Sequence, residues 1–164
     1  MELFEAIEKR HSYRDGFTDA PVCREDLRKI VEAGIRAPSA KNEQVVSFVI
    51  VDDPHLIEQL KQIIDRPACN TAQAMIVCVV DPRPVLEDIS FAAEDCAAAV
   101  QNMLLAITAL GYASVWMDGV LRFENRAERI AKLLGVPQGK QVRVVLPVGV
   151  PAVKVAQKEK LPFE

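Results

Sequence analysis

The chain has 164 residues, half of them hydrophobic, with a net charge of −3 and four cysteines. That length suits one domain, residues 1–164, with a real core, and the acidic balance excludes a molecule that captures nucleic acid by its overall field. The apolar content exceeds what a small monomer needs, so a second buried surface is expected, such as a subunit interface.

Residues 2–10 read as a helix with Leu3, Phe4, Ala6 and Ile7 on an apolar stripe. A polar loop over 11–21 carries Gly16 and Pro21. Residues 24–36 form a second helix, with Leu27, Ile30, Val31 and Ile35 at helical spacing and Pro38 to end it. A polar loop over 37–44 leads to a β-branched strand over 46–52. Pro54 then opens a helix to about Ile64. The continuous apolar run 75–81 predicts a buried strand. Residues 91–110 form the longest helix, ended by Gly111 and apolar nearly all round, which predicts burial on most sides in a central position, a dimer interface, or both. A strand over 112–117, a helix over 125–134 and a buried strand over 142–150 complete an α+β or α/β pattern.

Several chemistries find no motif. There is no glycine-rich phosphate loop of either common type, no HExxH, and no GxSxG elbow. His11 and His55 are the only histidines, and they lack cysteine partners at zinc spacing. Nothing locates a Cys–His nucleophile pair. Cys23, Cys69, Cys78 and Cys96 have no CxxC spacing, and Cys78 and Cys96 sit in apolar runs where a thiol acts as a small hydrophobe. A reduced, cytoplasmic chain is expected. The start Met1-Glu2-Leu3-Phe4-Glu5 lacks the basic region of a secretory signal. Glu94, Asp95, Gln101 and Asn102 break the longest apolar stretch, so no membrane span is expected.

One cluster stands out. Arg10, His11, Ser12 and Arg14 place four donors in five residues. A phosphate monoester offers several acceptor oxygens, and arginine meets them with a planar fork of N–H groups. In an extended loop, alternation would put Arg10, Ser12 and Arg14 on one side. Taken alone, the cluster reads first as a solvated helix end, with Lys9 and Arg10 complementing the helix C-terminus.

Four segments, in order and at matching spacing, change that reading. They are Arg10-His11-Ser12-Tyr13-Arg14; Ala37-Pro38-Ser39-Ala40-Lys41-Asn42-Glu43-Gln44; Asp95 through Leu105 running on to Leu110-Gly111-Tyr112-Ala113-Ser114-Val115-Trp116; and Val148-Gly149-Val150-Pro151 with a basic tail. Across nearly the whole chain this arrangement resembles the nitroreductase family of FMN enzymes. The resemblance implies an α+β fold around a mostly antiparallel sheet, a long central helix at the interface of an obligate homodimer, and FMN held between subunits. It implies that Arg10, His11, Ser12 and Arg14 hold the phosphate and ribityl end. Pro38, Ser39 and Asn42 would reach the flavin from the other subunit. The turn Met117-Asp118-Gly119 would approach the isoalloxazine edge near N5, and Lys158 or Lys160 would supply a last phosphate ligand. No acid–base dyad is needed, because hydride chemistry belongs to the cofactor. The implied activity is ping-pong reduction of nitroaromatics, quinones or similar acceptors by NAD(P)H.

Three departures from the family pattern follow. Val45-Val46 stands where Pro-Trp is common after the loop glutamine. Ala113 takes a usual glycine position. The sequence ends soon after Lys160, where longer members wrap the partner. The first motivates a specialised relative (a dehalogenase, ene-reductase or flavin-fragmenting enzyme), and the last a non-catalytic FMN-binding protein. Trp116 and the polar residues of the long helix, Asp95 among them, are expected to be structural, and His55 to lie at the surface.

Overall fold

In the computed structural model, which describes residues 1–163, three β-branched segments pair into one antiparallel sheet. The strands are β1 (Val46–Val51), β2 (Ala74–Val80) and β3 (Gln141–Val148), in spatial order β1-β2-β3. Val46 faces Val80 and Val51 faces Met75 on one side of β2, while Ala74 faces Val148 on the other, with a register shift at Cys78/Val79. Every residue of β2 is buried. Its even residues, Ala74, Ile76, Cys78 and Val80, pack with one set of helices, and Met75, Val77 and Val79 pack with another. That two-sided cover is why the run reads as continuously apolar.

The helices divide accordingly. Helices α2 (Arg24–Ile35) and α5 (Ala92–Ala109) pack together on the even face through Leu27, Ile30, Val100, Met103 and Ile107. Helices α3 (Pro54–Ile64), α4 (Pro67–Asn70) and α6 (Arg126–Leu134) cover the odd face through Leu60, Ile64, Ala68 and Ile130. Helix α1 (Leu3–Lys9) leans on α5. The result is three layers, helices on both sides of a sheet. Local chemistry fixes the ends. Pro54 occupies the first turn of α3 while the Asp53 carboxylate accepts the Leu56 N–H at 2.9 Å. Gly111 closes α5 at a φ of 85°.

Three expectations change. Residues 112–117 are not a strand: only Ala113 and Met117 bridge to β3 and its extension, at Gly149 and Val145. Between them the Ser114 carbonyl turns away to accept the Tyr13 N–H at 2.9 Å, so the ladder is interrupted. The stripe of α1 is not core: Ala6 is buried, but Leu3, Phe4 and Ile7 are 60%, 82% and 45% exposed. Within one copy of the chain, helix α5 is buried along one face, half-buried beside it, and exposed at Ala93, Glu94, Gln101 and Ala109. The apolar surplus of the composition lies in part on the outside of α1 and at Ile35, Phe123, Leu161 and Phe163. Pro67–Asn70 and two single turns, Ala40–Asn42 and Gly119–Arg122, form short helical pieces within segments that read as loop.

Candidate functional site

The site grows from the edge of β3. Met117 and Val145 exchange both backbone bonds, at 3.1 and 2.9 Å, which seats Met117 against the sheet. The chain then leaves it. Asp118 takes φ −127°, ψ −56° and Gly119–Arg122 make a tight turn. The Asp118 carboxylate accepts from Arg122 at 2.8 and 2.9 Å and from Arg143 at 3.4 Å. The Arg122 bond, aided by the charge of Arg143, holds Asp118 below the usual carboxylate range despite partial burial. A Cβ on Gly119 would meet nothing, so the backbone here faces open space.

That space is a cavity of about 360 Å³ lined by Arg14, Arg66, Ala68, Trp116, Met117 and Gly119, among others. Behind it the Cys69 thiol donates to the Met117 sulfur at 3.3 Å. Burial pushes the Cys69 thiol up to about 12, which makes it packing and not a nucleophile. The slot has an apolar back, exposed backbone on one side and two guanidinium groups among its lining. Such a shape takes a flat ligand with polar or anionic edges.

Arg14, Met117, Asp118 and Gly119 thus share one cavity. Other expected residues lie elsewhere. Arg10 and His11 line a narrow crevice with Thr108, Tyr112 and Ser114, where His11 Nδ1 is 2.9 Å from the Lys9 carbonyl. Ser12 is half-buried and its carbonyl accepts from Arg14 at 3.4 Å. Lys158 and Lys160 are exposed on the tail, which the Gln157 amide ties to the Arg10 carbonyl.

Pro38 and Ser39 line a third cavity, of about 340 Å³, together with Val31, Phe48, Asp95 and Ala99. Asn42 is exposed beside it. The loop is unusual in its backbone: Lys41, Asn42 and Gln44 have φ of 50°, 57° and 51°. Its hydrogen bonds are Asn42 N–H to the Ser39 carbonyl, Gln44 N–H to Ser39 Oγ, and Ala40 N–H to Asp95 Oδ1.

Two residues that sequence reasoning did not single out organise the site. Tyr13 is fully buried between the arginines, donates to the Gly16 carbonyl at 2.6 Å and accepts from Ala152 N–H at 3.1 Å. It knits the first motif to Ala152 and Val153, just past the Gly149-Val150-Pro151 segment, and its N–H reaches Ser114 of the third. Arg66 enters the slot from the start of α4, and no local pattern marks it. Trp116 packs on the core, as expected, and also lines the slot.

A sequence profile described as the nitroreductase family matches residues 7–68 and 65–150. An Archaeoglobus fulgidus protein named "Putative NADH dehydrogenase/NAD(P)H nitroreductase" is 34% identical over 152 residues, covering 92% of this chain and 86% of its own. Among solved structures, the NADPH:FMN oxidoreductase of Vibrio harveyi in complex with NAD+ superposes with a TM-score of 0.82 at 29% identity, over 98% of this chain and 74% of that one. An FMN-dependent nitroreductase of Clostridium difficile superposes at 0.81 and 25% identity, over 95% of this chain and 91% of that one.

Proposed function

The chain belongs to the nitroreductase family, and we propose that it is a single-domain, NAD(P)H-dependent FMN oxidoreductase acting as a homodimer in the cytoplasm. The observation that carries this reading is the slot between Arg14, Arg66 and the Met117–Gly119 turn. When bound, FMN supplies the hydride relay from NAD(P)H to a small acceptor such as a nitroaromatic or quinone. The residues supply the rest.

The fit of FMN to these residues rests on three features. The apolar back of Ala68, Val115 and Met117 suits the face of a ring system. Gly119 leaves its backbone unobstructed, so a main-chain N–H of the turn can reach a ring nitrogen. Arg14 and Arg66, in the lining of the same slot, would offer guanidinium donors to anionic or acceptor groups of the bound cofactor. The phosphate and ribityl end would go to Arg10, His11, Ser12 and Arg14, with Lys158 or Lys160 brought near by the Gln157 tether.

Pro38, Ser39 and Asn42 belong to a different surface of the same protomer. They close the site on the ring in the partner's slot, so each flavin has walls from two copies. The exposed Leu3, Phe4 and Ile7 are apolar surface that a subunit interface would cover. With FMN bound, NAD(P)H and the acceptor would occupy the slot in turn, which would give ping-pong order. Among the described residues no helix is long and apolar enough to cross a membrane.

The test is the visible spectrum of the purified protein followed by anaerobic titration with NADH and NADPH. A yellow protein bleached by one or both is expected. A colourless protein that takes up no added FMN would sink the reading.

A further inference from the structure

Asp95 is the one carboxylate among the described residues that the fold takes almost wholly out of water, at 6% exposure. It stands in the first turn of α5, and the function proposed above makes no use of it. Burying a carboxylate is costly unless bonds repay it, and Asp95 makes one: Oδ1 accepts the Ala40 N–H at 3.0 Å. Oδ2 is buried with no partner.

Ala40 opens the turn at the centre of the 37–44 loop. Around it Lys41, Asn42 and Gln44 hold left-handed backbone that side-chain-bearing residues rarely adopt. Such a conformation persists only where surroundings over-determine it. The loop's other side-chain bonds are to itself, Gln44 N–H to Ser39 Oγ and Gln44 Nε2 to the Asn42 carbonyl, or to the exposed Arg83 through Glu43. The Asp95 bond alone ties the loop to a buried side chain of a core helix.

We propose that Asp95 is a positioning residue: through the Ala40 N–H it locks the 37–44 loop in the strained shape that presents Pro38 and Ser39 to the flavin of the partner subunit. The proposal rests on the FMN reading above. The bond needs only one acceptor oxygen, so the amide of asparagine can replace the carboxylate.

Three variants of the full chain test it. Asp95→Ala removes the acceptor. Asp95→Asn keeps it. Ala40→Pro removes the donor: Ser39 already has φ −134°, ψ 151°, the conformation that precedes proline, and the first position of a helical turn tolerates it. Two readouts are taken, hydrogen exchange of the loop amides in FMN-free protein and FMN affinity by titration.

Asp95→Ala and Ala40→Pro are each expected to speed loop exchange and to weaken FMN binding about tenfold, the loss of one buried hydrogen bond. The double variant should be little worse than either alone, because both remove the same bond. Asp95→Asn should stay within about threefold of wild type, which a role in charge alone would not allow. Where Asp95→Ala fails to fold, Ala40→Pro carries the test. Wild-type exchange and affinity in Ala40→Pro, or an Asp95→Asn as impaired as Asp95→Ala, would overturn the proposal. A wild-type protein that binds no FMN would overturn the underlying reading instead. The two failures are separable, because loop exchange would then still respond to Asp95.

Discussion

The slot around Arg14 and the wall around Pro38 are built by opposite means. The slot is backed by the sheet: Met117 is bonded to Val145 in both directions, Val115 and Ala68 are core, and Asp118 is clamped by two arginines. The wall is a loop with three residues in left-handed backbone, fastened to the core by one buried carboxylate. A sheet-backed slot keeps its shape unaided. A strained loop held by a single buried bond can be displaced at little cost. The difference suits the proposed site, in which the rigid half and the adjustable half come from different copies.

Breaking the slot should affect binding and not stability. Arg14 is exposed, and among the described residues its only side-chain bond is to the Ser12 carbonyl. Arg14→Ala is therefore expected to weaken FMN binding by about 1.5–3 kcal/mol while leaving the unfolding midpoint in place; flavin titration and thermal melting on the same sample separate the two. Breaking the backing should do the reverse. A Cβ on Gly149 would stand 2.6 Å from the Phe17 ring, where the chain bridges to Ala113. Gly149→Ala should cost about 1–3 kcal/mol of folding stability through overpacking, read by denaturant unfolding.

The sequence marks the slot and the wall unequally. The three paired strands and the main helices follow from their apolar periods, because packing on a sheet is what creates those periods. The 112–117 segment misleads, since its apolar residues are buried without a ladder: Ser114 spends its carbonyl on Tyr13. Arg66 is invisible in sequence because only the fold carries α4 to the side of Arg14. Tyr13 could have been read from alternation, as the buried residue between two outward arginines. The Asp95–Ala40 bond joins segments with no local signal between them, so it needed coordinates.

Smaller effects sharpen the comparison. Ser39→Ala removes the acceptor of the Gln44 N–H at 3.2 Å on an exposed loop. Flavin affinity should fall by about 0.5–1.5 kcal/mol, with no change in melting, as measured by titration and calorimetry. Asp118 gives the smallest effect and a direction in pH. Its acidity is raised in the folded state, so its ion pairs with Arg122 and Arg143 stabilise above the ordinary aspartate value of 3.8 and are lost as pH falls below it. The stability difference between wild type and Asp118→Asn should favour wild type near neutrality and shrink towards zero under acid, followed by urea unfolding across pH. Because Asp118 is part-exposed, the difference should also shrink with salt.

The central claim, that each flavin lies between the slot of one copy and the loop of another, is tested most directly by flavin titration of mixed dimers. One parent carries Arg14→Ala with Arg66→Ala, and the other carries Ala40→Pro. Each parent dimer has every site damaged. Unfolded and refolded together, half the dimers are mixed and each holds one intact pair of walls, so tight binding should return at about a quarter of all sites. A mixture that binds FMN no better than its parents would contradict the claim.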